Sequence, residues 1–303
     1  MENIILIFIC LFIGFALQKV KSFPPNSHQV LNYFVVYISL PALALYYIPK
    51  IKISSELLYP IGVAWLGFGL SFLFFSFLGN RFGWSKKLIG CLVLTGGLAN
   101  TSFIGFPVIE ALYGKEGLKT AIIVDQPGSF VVLSTLGILV ASYYSRGEAS
   151  ASMILKKILF FPPFISFILA VVFNILQYDF VEEMQQVFLK LGSTVTPIAL
   201  IAVGLQLSFE RNSKHWGFLT LGLTFKLLLM PAFFCLLYLF ILGKNGIIFD
   251  VSIMESAMAP MITGSILAST YGLKPKLSSM MIGFGIPLSF ITLAFWFWIL
   301  QIL

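Results

Sequence analysis

The chain has 303 residues, of which 59% are hydrophobic and only 10% charged; 19 lysines and arginines against 12 acidic residues give a net charge of +7. Soluble chains average about 45–50% apolar and about 25% charged residues, so this composition excludes a soluble globular enzyme, a disordered chain and a nucleic-acid-binding protein. If the basic residues fall in short loops between apolar spans, the positive surplus reports orientation in a membrane.

A helix needs about 20 mostly apolar residues to cross the hydrocarbon. Ten stretches qualify, at 3–20, 29–48, 57–79, 87–113, 119–144, 152–176, 183–207, 216–242, 247–271 and 277–303. The connections are short and leave almost no chain for a soluble domain. Glu2 precedes the first apolar run, Lys19 and Lys21 follow it, and no small-x-small site succeeds it. Span 1 is therefore expected to be a membrane helix and not a cleaved signal peptide. The loops after spans 1, 3, 5, 7 and 9 hold Lys19, Lys21, Arg81, Lys86, Lys87, Arg146, Lys156, Lys157, Arg211, Lys214, Lys274 and Lys276. The alternate loops hold half as many: Lys50, Lys52, Lys115, Lys119, Lys190 and Lys244. This asymmetry places the first set in the cytoplasm and both termini outside. The remaining basic residue, Lys226, lies inside span 8. Cys10, Cys91 and Cys235 all lie within spans and read as small apolar residues. His28 and His215 lie in cytoplasmic-side loops, which argues against a metal cluster, and the run Phe295-Trp296-Phe297-Trp298 reads as an outer interfacial anchor.

Three landmarks recur in order. Ser39-Leu40-Pro41-Ala42-Leu43 resembles Val195-Thr196-Pro197-Ile198-Ala199, with the prolines 156 residues apart. Tyr113-Gly114 and Tyr271-Gly272 close spans 4 and 9 at an offset of 158, and late prolines recur at Pro127 and Pro287. The chain therefore reads as two five-helix repeats, 1–150 and 151–303. An odd number of spans per repeat inverts the second copy, the arrangement of secondary transporters, whose site lies near the midplane between the repeats.

Such folds carry Gly- and Pro-interrupted spans at matching positions in the two halves. Span 4 contains Thr95-Gly96-Gly97-Leu98-Ala99-Asn100-Thr101-Ser102, then Gly105 and Pro107; span 9 contains Glu255-Ser256-Ala257-Met258-Ala259-Pro260-Met261-Ile262-Thr263-Gly264-Ser265. Helix breaks are expected at Gly96, Gly97 and Ala99 and at Pro260 and Gly264, with Pro260 in the first turn of the half-helix that follows. Each break leaves a helix N-terminus with free N–H groups and about half a positive charge, which together form an anion site made of backbone. Gly97, Asn100, Thr101, Pro260 and Thr263 are the expected substrate contacts there, with Gln126, beside the Pro127-Gly128 kink, facing the same cavity. The amide of Asn100 suits a carboxylate or carbonyl. The bland alternative is close packing of small residues between spanning helices, with Asn100 as interhelical glue.

The string Gly97-Leu98-Ala99-Asn100-Thr101-Ser102-Phe103-Ile104-Gly105-Phe106-Pro107 resembles the span-4 signature of the auxin efflux carrier family, bacterial branch. Ala259-Pro260, Pro41 and Pro197 match as well, and the likeness covers essentially the whole chain. The resemblance implies an all-α membrane protein with the fold of bile-acid symporters and sodium/proton antiporters, in which broken helices 4 and 9 cross. It implies a scaffold of helices 1, 2, 6 and 7, a transport bundle of helices 3, 4, 5, 8, 9 and 10 that moves like an elevator, and a homodimer. It also implies an organic-anion substrate, auxin-like or a dicarboxylate, and residence in the bacterial inner membrane. Plant carriers have proline before the span-4 asparagine, where this chain has Ala99, and the long cytoplasmic loop of many plant members is missing.

Among the charged residues within spans, Glu110, Asp125, Lys226 and Glu255 stand out. A central charge is unfavourable by about 2.5–3.5 kcal/mol on insertion scales, so each needs a partner, a neutral state or water. Glu110 and Glu255 are expected toward the outer ends of spans 4 and 9. Asp125 and Lys226 lie deeper and are expected to share a buried network, with Glu255 in support. In that network a carboxylate carries a proton and the ammonium of Lys226 replaces a sodium ion; the alternative is a static ion pair that only braces the bundle.

The chain has no metalloprotease His-Glu-x-x-His, no aspartyl dyad and no P-loop. It reads as a secondary carrier for a small organic anion, needing no cofactor and no metal. The alternatives are a sodium- or proton-coupled carrier on the same fold and, less favoured, a channel.

Overall fold

A computed structural model describes residues 2–24, 26–52, 54–145, 159–160, 162–207 and 215–303. Arg146, Lys156, Lys157, Arg211 and Lys214, and the beginning of span 6, lie outside the described residues.

Eleven helical segments follow in chain order among the described residues: α1 (Glu2–Leu17), α2 (Ser27–Lys50), α3 (Ser55–Arg81), α4 (Lys86–Gly97), α5 (Thr101–Ser145), α6 (Pro162–Ile175), α7 (Glu182–Gln206), α8 (Trp216–Ile241), α9 (Ile247–Ser256), α10 (Ile262–Thr270) and α11 (Pro275–Ile302). Six of them, α2, α3, α5, α7, α8 and α11, are long and apolar enough to cross a membrane, and α6 and Ile5–Leu17 of α1 are shorter apolar helices. The sequence expects ten spans with interruptions in spans 4 and 9, and both of those spans are interrupted. Spans 4 and 9 are each divided, and the second half of span 4 runs on into span 5 as α5.

The 45 residues of α5 would extend about 68 Å if straight, more than twice the hydrocarbon thickness. The run bends at Gly114, whose φ of 65° and ψ of −161° are cheap only for glycine. Prolines account for other irregularities. The π-helical turns Val35–Ser39, Val124–Phe130 and Phe225–Leu229 precede or contain Pro41, Pro127 and Pro231. A proline lacks the N–H of the i→i−4 ladder, and the wider turn accommodates its ring.

The described residues form two compact units. One comprises α1, α2, Ser102–Ile122 of α5, α6 and α7. In it α1 crosses α7 at Gly14 and Gly204, where a Cβ built on Gly204 would lie 2.9 Å from Gly14 Cα. Gln18 donates to the carbonyls of Gly204 (2.8 Å) and Leu207 (3.0 Å), covering the end of α7. Ser39 and Thr194 share a hydroxyl hydrogen bond of 2.7 Å, and Thr196 Oγ1 donates weakly to the half-buried Glu110 at 3.4 Å. At the end of α2, where carbonyls lack helical partners, Asn174 Nδ2 donates among the carbonyls of Ile48 (2.9 Å), Pro49 (2.9 Å) and Ile51 (2.7 Å). Asn174→Leu strips all three of this donor and is expected to destabilise the protein by about 1–3 kcal/mol, read as a lowered unfolding midpoint in detergent. An unchanged midpoint would refute the role.

The other unit comprises α3, α4, the rest of α5 and α8 to α11. Trp296 Nε1 donates at 2.9 Å to the Leu227 carbonyl, the group four residues before Pro231 that the proline cannot serve. This corrects the expectation for the aromatic run at 295–298: Trp298 is exposed, but Trp296 is buried and repairs a broken ladder. Ser265 and Ser278 join α10 to α11 through their hydroxyls and through each other's carbonyls.

Candidate functional site

The site lies wholly within the second unit, where two broken helices meet. α4 stops at Gly97, and Leu98 adopts extended backbone (φ −105°, ψ 128°) before α5 begins at Thr101. α9 stops at Ser256, and Met261 is extended (φ −68°, ψ 125°) before α10 begins at Ile262. The two interruptions run antiparallel and form the only β-bridge among the described residues, Ala99 to Pro260. Asn100 N–H donates to the Ala259 carbonyl at 2.9 Å and Met261 N–H to the Leu98 carbonyl at 3.0 Å.

Gly96, Gly97 and Gly264 were expected as helix breaks, but they lie inside α4 and α10 and allow close packing beside the interruptions. A Cβ on Gly97 would approach Ser71 Cβ to 2.9 Å and Phe68 Cδ2 to 3.0 Å; one on Gly96 would approach Phe75 Cε2 to 2.7 Å, and one on Gly264 would approach Leu98 Cδ1 to 2.9 Å. Pro260 stands in the bridge itself, two residues before α10, and not in that helix's first turn as expected. Its missing N–H is harmless because its neighbours Ala259 and Met261 make the two cross-links. The proline of plant carriers is not required at Ala99, since the bridge holds the first interruption open from the other side.

Each inner helix end has its complement. α4 and α9 end with carbonyls and about half a negative charge. Ser71 Oγ of α3 donates to the Val93 carbonyl at 3.0 Å, and Lys226 Nζ of α8 donates to the Ser256 carbonyl at 2.7 Å. The N-termini of α5 and α10, adjoining the same bridge, offer N–H groups and positive partial charge.

Around the bridge stands a cluster of buried polar side chains: Asn100, Thr101, Asp125, Gln126, Lys226 and Glu255, each at most 3% exposed. Thr101 Oγ1 donates to Asp125 Oδ1 at 2.6 Å and Gln126 Nε2 to Asp125 Oδ2 at 2.8 Å, so both carboxylate oxygens are engaged. Asn100 Nδ2, Gln126 Oε1 and both oxygens of Glu255 have no hydrogen-bond partner. A water-sized cavity lies against Gly97, Ala99, Thr101, Ser129, Lys226 and Ser256, closed on the α3 side by Val63, Ala64 and Gly67.

The structure thus brings together Gly96, Gly97, Ala99, Asn100, Thr101, Asp125, Gln126, Lys226, Glu255, Pro260 and Gly264. It does not bring in Thr263, which faces outward from the first turn of α10. Asp125 and Lys226 were expected in one buried network, and both stand in the buried cluster, where both act on Glu255. Within it Asp125 accepts from Thr101 and Gln126, and Lys226 donates to the Ser256 carbonyl. Glu255 was expected toward the outer end of its span, yet it is completely buried and next to the last residue of α9, because the break ends that helix early. Sequence reading missed α3. Its small residues Ala64, Gly67 and Ser71 follow helical spacing, which is the signature of a close helix approach.

The chain matches the family of membrane transport proteins over residues 1–297. It is 28% identical over 301 residues to an uncharacterized transporter of Methanothermobacter thermautotrophicus, covering 97% of this chain and 96% of that one. It is 27% identical over 312 residues to an uncharacterized transporter of Methanocaldococcus jannaschii, covering 99% and 98%. The likeness to both covers nearly the whole length of each chain. The chain therefore belongs to the membrane transport protein family, that of the auxin efflux carriers, and is a multi-pass integral membrane transporter and not an enzyme.

Proposed function

We propose that the protein is a secondary transporter of a small organic anion, working by elevator-type alternating access in the bacterial inner membrane with both termini outside. The observation that carries this reading is the bridge at Ala99 and Pro260. Two half-helix N-termini adjoin it, and Asn100 beside it has a buried amide donor with no partner. N–H groups at helix starts favour negative charge, and an unpartnered buried donor is unfavourable until a ligand accepts from it. A carboxylate does both. The cavity at the bridge has room for about one water molecule, so an organic anion enters only when the crossing is opened, as alternating access requires. Ten spans in two inverted repeats agree with interruptions at Ala99 and Pro260, 161 residues apart, close to the 156 and 158 of the other landmarks. The elevator reading is supported by a unit built from spans 1, 2, 6 and 7 with part of 4 and 5, and a second built from the remainder. We also propose a homodimer, on the family resemblance alone.

The test is thermal unfolding of purified protein with malonate, succinate and indole-3-acetate. At a hundred times its Kd, a carboxylate that binds only the folded protein adds about 2.7 kcal/mol of stability. Asn100→Asp, which sets a like charge against the ligand, is expected to weaken binding at least tenfold, about 1.4 kcal/mol. If no carboxylate stabilises the protein, or if N100D responds as the parent does, the anion reading is wrong.

A further inference from the structure

Among the described residues, three side chains of the Asp, Glu, Lys and Arg types are buried in the second unit: Asp125, Lys226 and Glu255. Two of them are served as ions. Asp125 receives a hydroxyl and an amide hydrogen, one on each oxygen, and Lys226 donates to a carbonyl at the negative end of α9. Their charges cancel. Glu255 is the odd group. It is 0% exposed and neither oxygen accepts a hydrogen bond. Burying an ionised carboxylate without hydrogen bonds costs far more than burying the neutral acid, and such groups take up a proton instead. The charged groups that act on Glu255 are Asp125 of α5 and Lys226 of α8. Tyr59 of α3 and Tyr238 of α8 pack on Phe249, six residues earlier in α9, and α11 contributes only Lys276, exposed in its first turn.

We propose that Glu255 is a proton-binding site of the transporter, neutral in this conformation, and that its proton moves with the anion. The second half of the proposal rests on the anion reading above. Glu255 precedes by four residues Ala259, whose carbonyl holds Asn100 N–H. An anion bound at Asn100 and an ionised Glu255 would repel each other across a low-dielectric interior. Anion binding therefore favours the protonated carboxyl, and by linkage protonation favours the anion to the same degree. Opening the crossing to water lets the carboxylate be hydrated and release its proton together with the anion. The load is one anion and one proton, which carries no net charge for a monocarboxylate such as indole-3-acetate and one negative charge for a fully ionised dicarboxylate.

Infrared spectra of the purified, substrate-free protein at neutral pH test the site directly. A protonated-carboxyl C=O stretch is expected that Glu255→Gln removes and Asp125→Asn leaves. Glu255→Asp, which keeps an acid, should shift the band without losing it, and guards against a folding defect in E255Q. Survival of the full band in E255Q, or its loss in D125N alone, overturns the proposal. In proteoliposomes, whichever of malonate, succinate and indole-3-acetate stabilises the protein is expected to accumulate up to about tenfold per unit of inward pH gradient. E255Q should abolish that response, and an E255Q protein as responsive as the parent overturns the coupling. If the band behaves as expected but no carboxylate binds, the anion reading falls and the proton site stands. If a carboxylate binds but the band is absent, the proton site falls and the anion reading stands.

Discussion

Replacing Lys226 by methionine is expected to destabilise the protein by about 3–5 kcal/mol and to abolish transport. The side chain is 1% exposed and is the only buried lysine or arginine among the described residues. It leaves α8 from the π-helical turn Phe225–Leu229, just before Pro231, and its ammonium reaches the Ser256 carbonyl at 2.7 Å. That carbonyl belongs to the last turn of α9, where backbone oxygens have no helical donor and the helix presents its negative end. The Ser256 hydroxyl is directed elsewhere, to the Ile253 carbonyl at 2.6 Å, and so cannot substitute. Methionine matches the stem of lysine but not its donor or its charge. The variant leaves an unserved carbonyl and removes the positive charge that balances Asp125. Arginine should not rescue, since the adjoining cavity is only water-sized and a guanidinium is a broad planar fork. The measurements are the unfolding midpoint in detergent and uptake in proteoliposomes. A K226M protein that unfolds with the parental midpoint would show that the ammonium does not hold the end of α9.

Gly204→Val is expected to prevent the first unit from assembling, and Gly204→Ala to destabilise it by about 1–3 kcal/mol, the range of overpacked cores. The contact is backbone against backbone. A Cβ on Gly204 would lie 2.9 Å from both Gly14 Cα and Phe15 N and nearer still to the Leu11 carbonyl oxygen; one on Gly14 would meet the Ile201 carbonyl oxygen and, at 2.9 Å, Gly204 Cα. No side chain can rotate away to relieve this, so α1 and α7 must separate and lose the Gln18 bonds to Gly204 and Leu207. Gly69 in α3 is the matched control. A Cβ there meets nothing within 4 Å, so Gly69→Ala should be neutral or stabilising by up to about 1 kcal/mol. Unfolding midpoints of the three variants decide, and a G204A protein as stable as G69A would remove the close crossing as an explanation.

Most of the helical scaffold can be read from the chain because it depends on local properties. Apolar runs mark helices that suit the membrane, and Ala99 and Pro260 fall in the interruptions, while Gly96 and Gly97, expected as breaks, stay helical at the end of α4 and serve its close packing. The same local reading stops short where segments meet in space. The division between 87–113 and 119–144 falls at Gly114, where the backbone of α5 leaves helical geometry, but nothing local shows that the interruption in 247–271 pairs with the one in 87–113. The local reading also misplaces side chains. Thr263 shares a turn with Gly264 but points outward, and Trp296 lies in an aromatic run that resembles an interfacial anchor but answers to Pro231 on another helix.

Composition and the order of apolar runs determined by themselves that this is a membrane protein, that spans 4 and 9 are interrupted, and that charges such as Asp125, Lys226 and Glu255 must be accommodated within the spans, because burial in lipid acts on each segment through its own hydropathy. What those charges and interruptions do was decided by tertiary structure. Ala99 meets Pro260 and Lys226 meets Ser256 across long stretches of chain, and the exclusion of every donor from Glu255 follows from the packing of α9 among its neighbours. The energy of a buried polar group is set by what surrounds it in space, and no local pattern in the sequence carries that information.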